Sequence, residues 1–299
     1  MTNTNIREFV ELITPSISYS LGFLWGDGHL MTYKMKNHNI YYPYFSTHSK
    51  DWQEIYNTIS LFNGKGGWKI RNIKPSLCVD KRYIIHKNNE GKSAILYDKK
   101  IGELLFLLDY TYKSTKSPSK VLDIIPKELH HYFWRGLIDA DGCFYINNKS
   151  ANYFSICSSI NQDWSCAINM FKELNIKRYK INIIDTEYSK SSTLTIRNSE
   201  EIKILGNYIY KGMEDDNIGL RRKYDKFLII EQRAKNNKIK YSAYRGVSFE
   251  RGNWISYIYH NKKRYYLGTY SSEILAAKAY NLKAVELKGM NAVLNIIPL

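Results

Sequence analysis

The sequence predicts an α+β protein made of two similar αββαββα halves, followed by a small module of three strands and one helix. Three observations carry this. A short motif occurs twice, as Ser20-Leu-Gly-Phe-Leu-Trp-Gly-Asp-Gly28 and Trp134-Arg-Gly-Leu-Ile-Asp-Ala-Asp-Gly142, and Gly22 and Gly136, Asp27 and Asp141, and Gly28 and Gly142 are each 114 residues apart. The runs that follow each copy repeat in one order. Beyond about residue 240 the text changes to short aromatic stretches and an alanine-rich helix.

Each motif closes a helix. Thr14-Pro15 supplies an N-cap residue and a proline for the first helical position, and Pro126 opens the stretch that runs into the second copy. A mid-helix glycine costs about 1 kcal/mol relative to alanine. Gly22 and Gly136 therefore point to a helix interface where two backbones come close, packed by Leu21, Phe23, Leu24, Leu137 and Ile138. After Asp27, alternation predicts strands His29–Lys34 and Tyr42–Thr47, a helix Asp51–Phe62, strands Trp68–Ile73 and Ala94–Tyr97, and a helix Ile101–Tyr110. After Asp141 the order recurs, with strands Cys143–Asn147 and Tyr153–Cys157, a helix Asp163–Leu174, strands Tyr179–Ile184 and Thr193–Arg197, and a helix Ser199–Lys211. Phe144 and Ile146 turn to the core, and Tyr145, Asn147 and Lys149 to a polar face. A helix ending near Lys235 then meets a basic linker. The tail offers three strands with turns at residues 251–253 and 260–262, then a helix capped by Ser271 or Ser272 that packs through Ala276, Ala277, Ala279 and Tyr280. The expected domains are 1–115, 116–235, a linker at 236–241, and 242–299.

Charge narrows the partners. The 299 residues hold 44 Lys+Arg against 28 Asp+Glu, a net +16, and residues 240–299 carry nine Lys+Arg and three Asp+Glu, a net +6, leaving +10 for the rest. Both parts point to a polyanion, and with 26 tyrosines and no basic amphipathic helix, nucleic acid fits better than a membrane. No apolar run approaches the roughly 18 residues of a membrane span, and the start is not a signal peptide. The four cysteines, Cys78, Cys143, Cys157 and Cys166, form no C-x-x-C pair. An intracellular protein is expected, in the cytoplasm of a bacterial or phage-infected cell or in an organelle. Richness in Lys, Asn, Ile and Tyr fits an AT-rich genome.

Two carboxylates at two helix ends carry the chemistry. A helix C-terminus presents partial negative charge, so Asp27 and Asp141 create an anionic spot that protons or a hard cation must neutralise. Oxygen ligands suit Mg²⁺ or Mn²⁺, with the carbonyls of Gly26 and Ala140 completing the candidate set. Such a metal activates water against a phosphodiester. A lone helix ending in Asp-Gly is far more often a capped turn; the matched pair is what tips the balance.

These residues resemble the LAGLIDADG homing endonucleases in their monomeric, two-motif form, over about Ser16 to Lys211; the stretch from Gly136 to Gly142 is a near-literal match. The resemblance implies a saddle of two sheets over the DNA major groove and catalytic metals held by the last acidic residue of each motif, Asp27 and Asp141. The earlier acidic position is Asp139 in one copy and Trp25 in the other, so Asp139 receives no metal role. The resemblance also implies a catalytic basic residue near the end of each half's last strand, for which Lys99 or Lys100 and Arg197 are the candidates, and DNA contacts from Tyr33, Tyr145, Asn147 and Lys149.

The tail, through Tyr244-Arg-Gly-Val, the strand around Trp254, Tyr266-Leu-Gly-Thr-Tyr, Ala276-Ala-Lys-Ala-Tyr and Leu294-Asn295, is similar to the Apetala-two/ethylene-response-factor (AP2/ERF) DNA-binding domain over about Lys240 to Ile297. That implies DNA contacts by Arg245, Arg264 and Tyr266, with Trp254 packed under the helix. Ser248, Tyr257 and Tyr259 stand where many members carry charge, so the sequence preference need not be that family's. Together the resemblances imply a site-specific, Mg²⁺-dependent double-strand DNA endonuclease, monomeric, with a long recognition site, that copies an intron or free-standing gene into an unoccupied allele. Two rivals are a maturase that binds and folds intron RNA without cutting, which in its pure form, though not in a dual role, retention of both aspartates argues against, and a transcriptional regulator, which has no need of duplicated carboxylates.

Overall fold

The computed structural model describes residues 9–64, 66–73, 79–80, 83–84, 91–146, 152–187, 190–238, 242, 244–250, 252–261 and 263–297. Asn147 and Lys149 lie outside the described residues. The chain forms two compact units, Met1–Ile230 and Glu231–Leu299.

The first unit repeats one design. Its first half runs α1 (Pro15–Gly26), β1 (Gly28–Lys34), β2 (Asn39–His48), α2 (Ser49–Ile59), β3 (Trp68–Ile73), a hairpin of β4 (Val79–Asp80) and β5 (Tyr83–Ile84), β6 (Gly91–Leu96) and α3 (Lys99–Leu107). A short helix, α4 (Ser119–Ile124), leads to the second half: α5 (His130–Asp141), β7 (Gly142–Tyr145), β8 (Tyr153–Ser159), α6 (Ser165–Glu173), β9 (Tyr179–Asp185), β10 (Lys190–Ile196) and α7 (Ser199–Ile209). Then come α8 (Met213–Asp216) and α9 (Arg221–Lys238). The sheets are antiparallel and alike, ordered β1-β2-β6-β3 and β7-β8-β10-β9.

Local chemistry accounts for the motif helices. Thr14 Oγ1 accepts the N–H of Ile17 at 3.3 Å, with Pro15 at the first helical position. The second helix departs from the expectation: Pro126 is followed by a 3₁₀ turn, Lys127–Leu129, and the α-helix begins at His130 without a side-chain cap. The hairpin β4–β5, α4 and α8 carried no periodic signal in the sequence. Helix α9 runs to Lys238, three residues into the stretch read as linker, and residues 239–241 lie outside the described set.

The motif helices pack backbone to backbone. A Cβ on Gly22 would lie 1.9 Å from the carbonyl oxygen of Phe133, and one on Gly136 would lie 2.1 Å from that of Tyr19. No side chain fits there. Around this contact Leu21, Phe23, Leu24, Phe133 and Ile138 are buried, and the same core takes in the inner faces of both sheets through Phe45, Ala94, Phe144, Phe154, Leu194 and Ile196.

The second unit pairs β11 (Val247–Glu250), β12 (Asn253–His260) and β13 (Lys263–Tyr270) antiparallel, with α10 (Glu273–Lys288) across one face. Ser272 Oγ caps the helix, accepting from Leu275 N at 3.2 Å. Val247, Ala276 and Ala277 form one small core with Trp254 packed against it, and Ile258, Tyr280 and Ala284 form another. Ala279 is only half buried, and Ala284 takes the buried place one turn on. Asn295 ties the ends together, accepting from Arg245 N at 2.6 Å.

Gly136→Ala should be among the most destabilising alanine substitutions in the chain, because its methyl meets backbone rather than a movable side chain. Overpacking of this kind costs about 1–3 kcal/mol or more, read as a lower urea midpoint; an unchanged midpoint would mean that the helices are not in contact there.

Candidate active site

The glycine contact brings the two helix ends together. A Cβ on Gly26 would sit 2.3 Å from Ala140 Cβ and 3.0 Å from Asp141 Oδ2, so the last turns of α1 and α5 touch and their carboxylates face one region. Asp27 caps α1, its N–H donating to Phe23 O at 3.0 Å, and Asp141 is the last residue of α5. Burial raises the Asp141 carboxyl to about 6, and the neighbouring Asp27 pushes it the same way. The Asp27 carboxylate reaches solvent, yet the protein packed round it also raises its pKa, against the pull of Lys113 and Lys223.

Those two lysines are the cations of the site. Lys113 Nζ donates to the carbonyl of Gly26. Lys223 Nζ is buried and donates to the carbonyls of Ile138 at 2.9 Å, Asp139 at 2.6 Å and Gly142 at 2.7 Å. Each lysine therefore caps the negative end of one motif helix. Burial lowers Lys113 to about 8, with Asp141 and Asp27 opposing the shift, and it lowers Lys223 as well.

The candidate basic residues from the sequence stand elsewhere. Lys99 and Lys100 are exposed in the first turn of α3, and the exposed Arg197 follows β10 with its guanidinium 5.3 Å from the ring of Tyr153. None of the three figures among the charges acting on Asp27 or Asp141, whereas Lys113 and Lys223 act on both. A sequence signal for them existed: Lys113-Ser-Thr-Lys116 and Lys223-Tyr-Asp-Lys226 share a K-x-x-K pattern 110 residues apart, close to the motif spacing. Gly26 keeps its place beside Asp141, but its carbonyl is engaged by Lys113.

Trp25 and Asp139 occupy matching motif positions and hold matching segments. Trp25 packs edge-on against Tyr110 with ring centroids 5.1 Å apart, and Asp139 Oδ2 accepts from Leu220 N at 2.8 Å and Tyr19 Oη at 2.9 Å. Tyr110 and Leu220 each precede a site lysine by three residues. Asp139, buried and raised to about 6, is committed to these bonds.

The outer sheet faces, opposite the buried Phe45 and Phe144, carry aromatic rows. Tyr33 lies 5.6 Å from Tyr42, Tyr42 lies 5.1 Å from Tyr97, and Lys69 Nζ stands 5.1 Å from the Tyr97 ring centre. On the second sheet Tyr145 stacks on Tyr153 at 4.7 Å, and Arg197 continues the row. The second unit has a similar face: Arg264 lies 4.5 Å over Tyr257, Tyr259 and Tyr266 are exposed, and Arg245 is exposed at the start of the sheet.

No family profile matches the chain. Among solved structures it is similar to I-SmaMI bound to cleaved DNA (15% identity, 76% of this chain and 91% of that one, TM-score 0.43) and to I-LtrWI bound to target DNA (15%, 76% and 92%, TM-score 0.44). I-WcaI bound to its recognition sequence aligns at 14% identity over 74% of this chain and 91% of that one, with a TM-score of 0.45. I-SmaMI and I-LtrWI are LAGLIDADG homing endonucleases, and I-WcaI is a homing endonuclease. Curated relatives match a smaller part: the Arabidopsis thaliana ethylene-responsive transcription factor ERF025 is 45% identical over 58 residues, 19% of this chain and 25% of that protein. The AP2-like factor TOE2 of the same plant is 36% identical over 70 residues, 23% of this chain and 14% of that one. The chain thus spans a quarter or less of these curated relatives. No helix among the described residues is long and apolar enough to cross a membrane.

Asp141 makes the folded state pH-sensitive. Its folded pKa of about 6 lies above the model-peptide value of 3.8, so its penalty is absent below about pH 4 and complete above about pH 6. In EDTA, Asp141→Asn should therefore melt above the wild type at pH 7, with the gain shrinking to nothing near pH 4. A gain independent of pH would remove the carboxylate crowding as its cause.

Proposed function

We propose that this chain is a monomeric, site-specific endonuclease that hydrolyses both strands of a long DNA target, using Mg²⁺ or Mn²⁺ held by Asp27 and Asp141. One observation carries the reading: two matching helix ends, each with a carboxylate and each with a buried or half-buried lysine on its terminal carbonyls, meet in one place. A regulator that only binds DNA needs no such pair.

The residues fit a hard divalent cation. Crowded carboxylates whose pKa values rise are groups that such an ion relieves. Mg²⁺ keeps several waters and takes substrate phosphate oxygens, so two carboxylates would suffice to hold it. Bound there, the metal would polarise the scissile phosphate and lower the pKa of the attacking water. Lys113 and Lys223, rather than Lys99, Lys100 or Arg197, then serve as the catalytic cations. Their Nζ groups supply fixed positive charge as negative charge builds on the phosphate and the bridging oxygen leaves. Tyr33, Tyr42, Tyr97 and Lys69 at one sheet, Tyr145 and Arg197 at the other, and Asn147 and Lys149 from the sequence are the proposed groove and phosphate contacts.

The proposed functional division is 1–115 and 116–235 for the halves, 236–241 for a tether, and 242–299 for a second DNA-binding module of AP2/ERF type using Arg245, Arg264 and Tyr266. A tethered reader raises occupancy through effective concentration.

A plasmid carrying the gene's flanking sequences, joined without the gene, should be cut once with Mg²⁺, and not with EDTA or by Asp141→Asn. Specific binding without any cut would overturn the endonuclease and leave the DNA-binding regulator and the maturase, which an intron RNA splicing assay separates. Arg264→Ala should weaken DNA binding and lower the slope of log affinity against log salt by about one. A slope equal to that of the wild type would take Arg264 off the phosphate backbone.

A further inference from the structure

Each site lysine sits on a segment that is fastened to the opposite half of the first unit. On one side, Gln162 Nε2 donates to the carbonyl of Lys116 at 2.9 Å, and Ser159 Oγ donates to that of Ser114. Gln162 is itself held by Ser158 Oγ, which donates to Oε1 at 2.6 Å. These second-half residues lie just before α6 and grip the chain that carries Lys113. On the other side, Arg222 Nε and Nη2 donate to the two carboxylate oxygens of Asp51, each at 2.6 Å, and Arg221 N donates to Glu54 Oε2 at 2.8 Å. Asp51 and Glu54 stand in the opening turns of α2, the counterpart of α6, and grip the chain that carries Lys223. The two grips differ in place, within α2 on one side and just before α6 on the other, and in chemistry: a bidentate ion pair, with the Asp51 side chain only 13% exposed, against a neutral amide.

We propose that Gln162 and the Asp51–Arg222 pair are positioning residues, each setting one lysine, and hence one strand cut, from across the molecule. The proposal rests on the endonuclease reading above. Lys113 and Lys223 are each pinned three residues upstream by their own half, through Trp25 on Tyr110 and Asp139 on Leu220. The opposite half adds a further hold beside each lysine, at Ser114 and Lys116 just after Lys113 and at Arg221 and Arg222 just before Lys223, while Tyr224 and Phe227 pack α9 on Tyr210 of its own half. Losing one such hold shifts one lysine against its carbonyls and leaves its counterpart in place.

The test is strand-resolved cleavage in a single turnover, with each DNA strand labelled separately. Arg222→Gln should slow one strand by about 10- to 100-fold, the usual consequence of an ångström-scale misplacement, so that nicked plasmid accumulates while DNA affinity in EDTA is unchanged. Gln162→Leu should slow the other strand. The exchange Asp51→Arg with Arg222→Asp should restore the first cut. Amine acetylation in EDTA, read by mass spectrometry, gives a readout free of activity: Arg222→Gln should raise labelling of Lys223 alone, and Gln162→Leu that of Lys113 alone. Variants that slow both strands equally, or labelling that does not change lysine by lysine, would overturn the proposal. A wild type that cuts no DNA counts against the endonuclease reading alone, and the labelling pattern then decides the grips by itself.

Discussion

Everything in the first unit depends on two helices touching at two glycines. The methyl group of an alanine at Gly22 or Gly136 would occupy the space of a carbonyl oxygen on the opposite helix. That closeness makes the last turns of α1 and α5 share one region, with Gly26 against Ala140 and the Asp141 carboxylate beside it. A looser pair of helices, separated by ordinary side chains at about 8–10 Å between axes, would keep the aspartates apart and leave no crowded anionic site.

Crowding brings an electrostatic demand that the chain itself meets in part. Two helix ends and two carboxylates gather negative charge in a setting where Asp141 is already hard to ionise. Lys113 and Lys223 answer the carbonyls directly, and their lowered pKa values record how much water they gave up to do so. The carboxylates are left with their charge only partly offset. This is the physical state that favours a further cation from solution.

Much of this architecture was legible in the text. The constant spacing of 114 residues located both helices, and alternation around residues such as Phe144 and Tyr145 located the strands and their two faces, with boundaries mostly within a few residues. Long-range chemistry was not legible. Lys113 and Lys223 sit in basic surroundings, Lys113-Ser-Thr-Lys and Arg221-Arg-Lys, where nothing local separates a buried ammonium from a solvated one. Their partners are 81 or more residues away along the chain. The aromatic rows were half visible for the same reason: Tyr33 and Tyr145 stood out beside their motifs, while Tyr42, Tyr97 and Lys69 join Tyr33 only once β2, β3 and β6 are paired. The short helices and the β4–β5 hairpin are too brief to express a period.

The one position where the motif copies disagree most, Trp25 against Asp139, then has a physical account. At both, the requirement is to fasten the chain three residues ahead of a lysine that caps the partner carbonyls. Asp139 does it with a carboxylate oxygen on Leu220 N, at the expense of burying an acid that gives up its proton less readily. Trp25 does it with apolar surface against Tyr110, whose hydroxyl in turn donates to Leu21 O at 2.8 Å. The duplicated halves therefore retain a mechanical task rather than a residue type. That is why neither residue needs a place among the metal ligands, and why a comparison of the motifs letter by letter makes the halves look less alike than their geometry is.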